Sequence, residues 1–293
     1  MAKSKTDTAP AEASAAAESV EVPARARPTV HLILQAKGGA GKSVVASFIA
    51  QWLTHRALRA EEDSGVQVPM CLDTDPLNQT FTAFNGQGFT VDHIQIVEED
   101  GVSINSARFD ELMERILTMD MNAPRDVVID TGSSNFLQLI DYVKRCHIPS
   151  EPDNAGFRLV VHTVVAGGGS LRETLQSIDS ITTNLSAWRP LTMVVWENPY
   201  YGAIQTETWK DFKESATYRD NSPDIRAIIK IPTLHSQLEG HDLALVLKRN
   251  HTLDAAIGEP TYSTMSRKRL IRLQDKLWRT IEEGFGEIAE QTQ

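Results

Sequence analysis

Between Val30 and Lys230 the chain alternates short apolar runs with longer stretches in which apolar residues return every three or four positions. The runs are VHLILQA (30–36), VPMCLD (68–73), DVVID (126–130), FRLVVHTVV (157–165), LTMVVW (191–196) and IRAIIKI (225–231). They are rich in β-branched residues and nearly continuous rather than alternating, which predicts strands buried on both faces. The stretches between them predict helices over Lys42–Ala57, Ile104–Met119, Asn135–Cys146, Ser170–Leu185 and Thr206–Glu214. Residues Tyr262–Ile288 predict one or two surface helices. Strand and helix in this alternation predict an α/β fold, a doubly wound and mostly parallel sheet flanked by helices.

Residues 1–28 do not share the pattern. They are rich in Ala, Ser, Glu and Pro and contain no aromatic residue, so they cannot bury enough apolar surface to offset the entropy of ordering. A disordered tail over 1–28 and a nucleotide-binding domain over 29–293 are the expected division. Four basic and four acidic residues cancel within the tail, so the net charge of −10 lies on the rest. An acidic body argues against broad electrostatic binding to DNA or anionic membrane. Cys71 and Cys146 form no CxxC pair, which suits a reducing compartment. No apolar run is long enough to span a bilayer and no signal-peptide core is present, so a cytoplasmic protein is expected. His31, His93, His162, His235, His241 and His251 show no metal-ligand spacing and read as structural or surface residues.

The chemistry concentrates in QAKGGAGKSVV, Gln35 to Val45. An apolar strand runs directly into KGGAGKS and then into a helix, the context that a phosphate loop requires. Gly38, Gly39 and Gly41 allow the backbone from Gly38 through Ala40 to Val44 to turn its N–H groups toward a phosphate. The helix beginning near Lys42 adds its positive end. Lys42 would reach the β- and γ-phosphates, and the Ser43 hydroxyl would hold Mg²⁺. Two further strands end in acids. LDTDP places Asp73 and Asp75 at the carboxyl edge of the sheet, where doubly wound folds bind ligands. DVVID ends in Asp130, the pattern of a Walker B strand, whose carboxylate would hold Mg²⁺ through water.

The KGGAGKS loop, with Lys37 preceding the usual lysine, resembles the deviant Walker A motif of the ParA/MinD family of ATPases, which includes the nitrogenase iron protein. Several residue roles follow from that resemblance alone. Lys37 would cross a two-fold interface to the phosphates held by a second subunit, so the expected active form is a homodimer assembled on ATP. Asp75 would orient the attacking water, making Lys37, Lys42 and Asp75 the catalytic candidates. Asp73 would stand near Mg²⁺ behind its direct ligands. Asn198, in VVWENPYYG, would pair with the adenine edge, and IPTL (231–234) would complete the base pocket. LDTDPLNQTF, IDTGSS, VVHTVVAGGGSL and VVWENPYYG narrow the resemblance to TraL-type proteins of plasmid conjugal-transfer regions, which implies a conjugation or plasmid-maintenance partner. The cysteines lie outside the loop where the iron protein bridges its cluster. The acidic end WRTIEEGFGEIAEQTQ lacks the basic membrane helix of MinD. Arg267, Lys268, Arg269, Arg272 and Lys276 leave a DNA contact open, although a solvated helix face is the expected role. The reading is a Mg²⁺-dependent ATPase acting as a nucleotide-gated dimer. A DNA-positioning ATPase and a non-hydrolysing ATP-dependent adaptor are its alternatives.

Overall fold

The computed structural model describes residues 27–61, 65–98 and 105–290. The strands are β1 (Thr29–Ile33), β2 (Met70–Asp73), β3 (Val91–His93), β4 (Val127–Asp130), β5 (Arg158–Ala166), β6 (Met193–Asn198) and β7 (Ile225–Lys230). They form one seven-stranded sheet in the order β3-β2-β4-β1-β5-β6-β7, and every pairing is parallel. The helices among the described residues are α1 (Lys42–Arg59), α2 (Phe109–Leu117), α3 (Phe136–Arg145), α4 (Glu151–Asn154), α5 (Leu171–Asn184), α6 (Ala216–Asn221), α7 (Glu239–Lys248), α8 (Leu253–Gly258) and α9 (Thr264–Glu290).

Alternate strand residues feed two cores, one on each face of the sheet. Val30, Leu32, Val127, Ile129 and Val195 pack with α2, α3 and α5. Ile33, Val128, Val164, Trp196 and Ile229 pack with α1, α7, α8 and α9. Both faces are covered, so the strands carry no polar alternation, as their sequences require. A polar chain crosses the second core. Trp196 Nε1 donates to His162 Nδ1 at 3.0 Å, and His162 Nε2 lies 2.9 Å from His31 Nδ1. With its Nδ1 accepting, neutral His162 carries its proton on Nε2 and donates it to His31. Burial lowers the pKa of both rings, that of His31 to about 3. These histidines are structural, as expected.

One expected helix is absent. Thr206–Glu214 forms only a 3₁₀ turn at Phe212–Glu214, and the helix comes later, as α6. Side chains take over the backbone groups: Thr208 N–H donates to Thr206 Oγ1, Lys210 N–H to Glu214, and Lys213 N–H to Asp211. Such local bonds compete with helix formation. Residues Tyr262–Ile288 resolve into the single helix α9. The expected tail lies outside the described residues except at its end. There Arg27 donates to Phe157 O and Gly156 O and meets Asp153, and Pro28 O accepts from Arg158 N–H. No helix among the described residues is long and apolar enough to cross a membrane.

Candidate functional site

β1, the glycine loop and α1 form the strand–loop–helix unit that a phosphate loop requires. The loop is braced from inside. Buried Gln35 donates from Nε2 to Val164 O at 2.5 Å, and its Oε1 accepts from Lys37 N–H at 3.1 Å. Gly41 ends the loop with φ of 107°, in the left-handed region. A Cβ there would lie 2.8 Å from Asn198 Nδ2, so both conformation and space demand glycine. Gln35 was not among the sequence candidates. Its signal is a lone amide closing an apolar run.

The next residue, Lys42, is buried and makes no hydrogen bond or ion pair among the described residues. Burial lowers its pKa, against the pull of Asp130 and Asp75. Asp130, at the end of β4, is fully buried, and neither of its oxygens has a hydrogen-bond partner. Burial raises its pKa to about 7. The nearby Ser43 hydroxyl and Lys42 oppose that rise, while Asp73 and Asp75 add to it. Ser43 faces the carboxylate without a hydrogen bond of ordinary geometry. An orphaned carboxylate beside a serine hydroxyl is an oxygen donor set that fits Mg²⁺, which binds through one or two protein groups plus substrate phosphates. Among the described residues no cluster of three or more His, Cys, Asp or Glu side chains is placed to hold a metal unaided.

Asp73 is Asp130's register partner on β2, and it is equally buried. Its oxygens are filled. Oδ1 accepts from Asp75 N–H at 2.9 Å, and Oδ2 from the N–H and hydroxyl of Thr82 at 2.9 and 3.0 Å. It therefore holds the turn after β2, and only its charge reaches Asp130. Asp75 is intermediate. Oδ1 accepts from the N–H groups of Leu77 and Asn78, whereas Oδ2 has one longer contact, 3.3 Å to Asn78 Nδ2.

Three side chains tie the strand ends together. Thr131 donates to Ile33 O, Thr74 to Asp130 O, and Asn135 to Thr74 O. Asn135 Oδ1 is itself buried without a partner. Ser133, from the TGSS segment, sits against Gly38. None of Thr74, Thr131 and Asn135 is recognisable from sequence except as a polar residue next to a strand-end acid.

A cleft of about 900 Å³ opens over these groups. Gly38, Gly39, Gly41, Lys42, Ser43, Val44, Asp75 and Ser133 line it, together with Phe48, residues 231–234, Leu243 and Leu247. IPTL thus shares one cleft with the glycine loop. Asn198 also lines the cleft, but its amide is partly committed. Nδ2 donates to Ala40 O at 2.9 Å, and Oδ1 accepts from Tyr200 N–H at 3.1 Å. One N–H remains for a ligand. Lys37 stands outside the buried set: its ammonium pairs with Glu173 at 2.9 Å, the two side chains being 33% and 51% exposed.

No protein-family model matches the chain. Two Escherichia coli proteins named Protein TraL match it. One is 36% identical over 253 residues, covering 86% of this chain and 97% of that protein. The other is 37% identical over 242 residues, covering 82% and 92%. Among solved structures, the MinD cell division protein of Aquifex aeolicus matches at 13% identity and a TM-score of 0.43, over 85% of this chain and 96% of that one. An ATP complex of McdA from Cyanothece matches at 12% identity and a TM-score of 0.38, over 86% and 96%.

Proposed function

The chain belongs to the TraL family, and from that premise and the cleft we infer that it is a Mg²⁺-dependent ATPase, a nucleotide-gated dimer serving plasmid conjugal transfer. One observation carries the reading. Lys42 and Asp130, a buried amine and a buried carboxyl with no hydrogen-bond partner among the described residues, flank a phosphate loop at the carboxyl edge of the sheet. Leaving buried charges unpartnered costs several kcal/mol in general, and a bound triphosphate with its cation supplies both partners.

In this mechanism the loop N–H groups and Lys42 hold the phosphates. Asp130 and the Ser43 hydroxyl would hold Mg²⁺, which supplies positive charge against the phosphate oxygens. Asp75 accepts a hydrogen bond from the attacking water at Oδ2, its less occupied oxygen. The water oxygen bonds to the γ-phosphorus, the bond to the ADP oxygen breaks, and the water proton leaves with inorganic phosphate. Lys37 exchanges Glu173 for the phosphates held by a second copy, adding positive charge where negative charge develops. The remaining N–H of Asn198 meets the base.

Calorimetry tests the assignment. Wild type is expected to bind ATP with Mg²⁺, and Lys42→Ala to lose that binding. Unchanged affinity in Lys42→Ala overturns the site. Tighter binding of GTP than ATP overturns the role of Asn198. Binding without turnover reduces the protein to an ATP-gated adaptor.

A DNA-positioning ATPase is the second reading, favoured by α9. Arg269 is taken by Asp242, but Lys268, Arg272, Lys276 and Arg279 are exposed and form no ion pair among the described residues. At 3.6 residues per turn they fall within about 80° of one another. An ATP-dependent retardation of duplex DNA, lost at high salt and in a Lys268→Ala/Arg272→Ala variant, would favour this reading.

A further inference from the structure

Two sequence motifs remain without a role in this mechanism, the glycines of AGGGS (166–170) and the tyrosines of NPYYG (198–202). The fold brings them together. Gly167 N–H donates to Asn198 O at 3.1 Å. A Cβ on Gly167 would fall 1.8 Å from Gly202 O. One on Gly168, at φ +64°, would fall 2.3 Å from Tyr201 O. The segment leaving β5 and the turn leaving β6 therefore touch backbone to backbone, and only glycine permits it. Two bonds fix the turn further, Gly202 N–H to Pro199 O at 3.0 Å and Tyr200 N–H to Asn198 Oδ1 at 3.1 Å.

The rings carried by this clamped backbone are left in the open. Tyr200 is 61% exposed and Tyr201 55%. Their centroids are 4.9 Å apart at an interplanar angle of 89°. Neither ring belongs to either core, and neither hydroxyl has a hydrogen bond among the described residues. Both rings line the cleft that the phosphate loop opens into. Asn198 joins the two features, reaching Ala40 O in the loop with one side-chain atom and Tyr200 N–H with another. The aromatic pair is thus held at a set offset from the phosphate end.

We propose that Tyr200 and Tyr201 form an aromatic lip on which the base of the bound nucleotide stacks. This rests on the reading that the cleft takes a nucleoside triphosphate. A tyrosine ring offers a rigid π-face with little side-chain entropy to lose. Stacking tolerates any base, because every base has a π-face. The lip therefore adds affinity for all nucleotides and leaves discrimination among them to Asn198.

The test measures binding of ATP, GTP and inorganic tripolyphosphate to the full chain by calorimetry, with sedimentation reporting the oligomeric state. Tyr200→Ala/Tyr201→Ala is expected to weaken ATP and GTP alike by about 5- to 150-fold and to leave tripolyphosphate unchanged. Tyr200→Phe/Tyr201→Phe, which keeps the rings, is expected to restore wild-type affinity. Unchanged nucleotide affinity in the Ala variant overturns the lip. So does an equal loss for tripolyphosphate, which would mean a collapsed turn, or an equal loss in the Phe variant, which would mean a hydroxyl contact. A loss confined to dimer formation overturns it too, assigning the rings to a protein contact. Lys42→Ala separates this failure from that of the underlying reading. If it keeps its affinity for ATP and tripolyphosphate, the phosphate site itself is wrong whatever the tyrosines do.

Discussion

Asp73 and Asp130 end adjacent strands as register partners, and both are fully buried. They differ in what surrounds them. Every oxygen of Asp73 accepts hydrogen bonds from its own turn, whereas Asp130 accepts none from the described residues. The lysines of the phosphate loop divide the same way. Lys37 has an ion-pair partner in Glu173, and Lys42 has none among the described residues. A buried charge that the protein satisfies is working for the fold. A buried charge that it leaves unsatisfied is a cost to the fold, and is kept for something that binds. By that criterion Asp73 belongs to the scaffold, while Asp130 and Lys42 are the groups that the proposed function gives to a ligand, although the family resemblance implied a place near the metal for Asp73 as well.

The largest effect that would break this contrast is expected at Asp73. Asp73→Ala strands the N–H groups of Asp75 and Thr82 and the Thr82 hydroxyl, and each buried unsatisfied donor costs about 1–3 kcal/mol. Relief of the buried charge offsets part of this, leaving a loss of roughly 3–5 kcal/mol. Urea unfolding measures it. A change below about 1 kcal/mol, with Mg²⁺ dependence lost instead, would move Asp73 from scaffold to ligand site.

Asp130 should behave in the opposite way. Its pKa is about 7 in the fold against an ordinary 3.8, so the folded chain holds this proton more tightly than the unfolded one. The stability it contributes is complete below about pH 4 and is lost as pH rises through 7. Asp130→Asn should therefore be more stable than wild type at pH 8, by roughly 2–4 kcal/mol, with the gap closing toward pH 4. The readout is the difference between the two proteins, because His31 and His162, with lowered pKa values, impose the reverse trend on both. A gap independent of pH would mean that the carboxylate is not the strained group. The same variant should bind Mg²⁺-ATP poorly.

The fold was legible because its signal is local. Apolar runs ending in acids and a glycine loop between strand and helix follow from periodicity and spacing. The strand β3 escaped because Val91–His93 spans only three residues, and α7 because an apolar run framed by charges has no marked cap. Partner counts were not legible at all. The strands MCLD and VVID both end in Asp, and nothing in either segment says that Thr82, nine residues on, fills one carboxylate while the other stays empty. That asymmetry arises only when the chain has folded.

Asp75 stands between the two extremes, with Oδ1 filled and Oδ2 nearly free. Asp75→Ala removes a water acceptor but no phosphate contact. Mg²⁺-ATP affinity should hold, turnover should fall by more than about a hundredfold, and the ATP-bound dimer should persist. Phosphate release with light scattering checks all three. Normal turnover would place Asp75 with Asp73 as a turn former.

The smallest effect sharpens the lysine half of the contrast. Lys37 and Glu173 are both partly exposed, so solvent and salt screen their pair and its contribution to folding is slight, at most about 1 kcal/mol. On the proposed mechanism its influence on assembly is easier to detect, because there the bond breaks before Lys37 reaches a second copy. Glu173→Gln removes the competing charge while keeping the size of the side chain. Unfolding should shift by less than about 0.5 kcal/mol, and the protein concentration at half-dimerisation, with a non-hydrolysable ATP analogue, should fall by up to about fivefold. Raising the salt should narrow the gap, since screening weakens the pair that wild type must break. Lys37→Ala should bind ATP but neither dimerise nor turn over normally. If Glu173→Gln dimerises less readily than wild type, Glu173 is part of the interface rather than a restraint on it. If Lys37→Ala dimerises normally, the pair is a solvated surface contact and the loop's second lysine has no role across subunits.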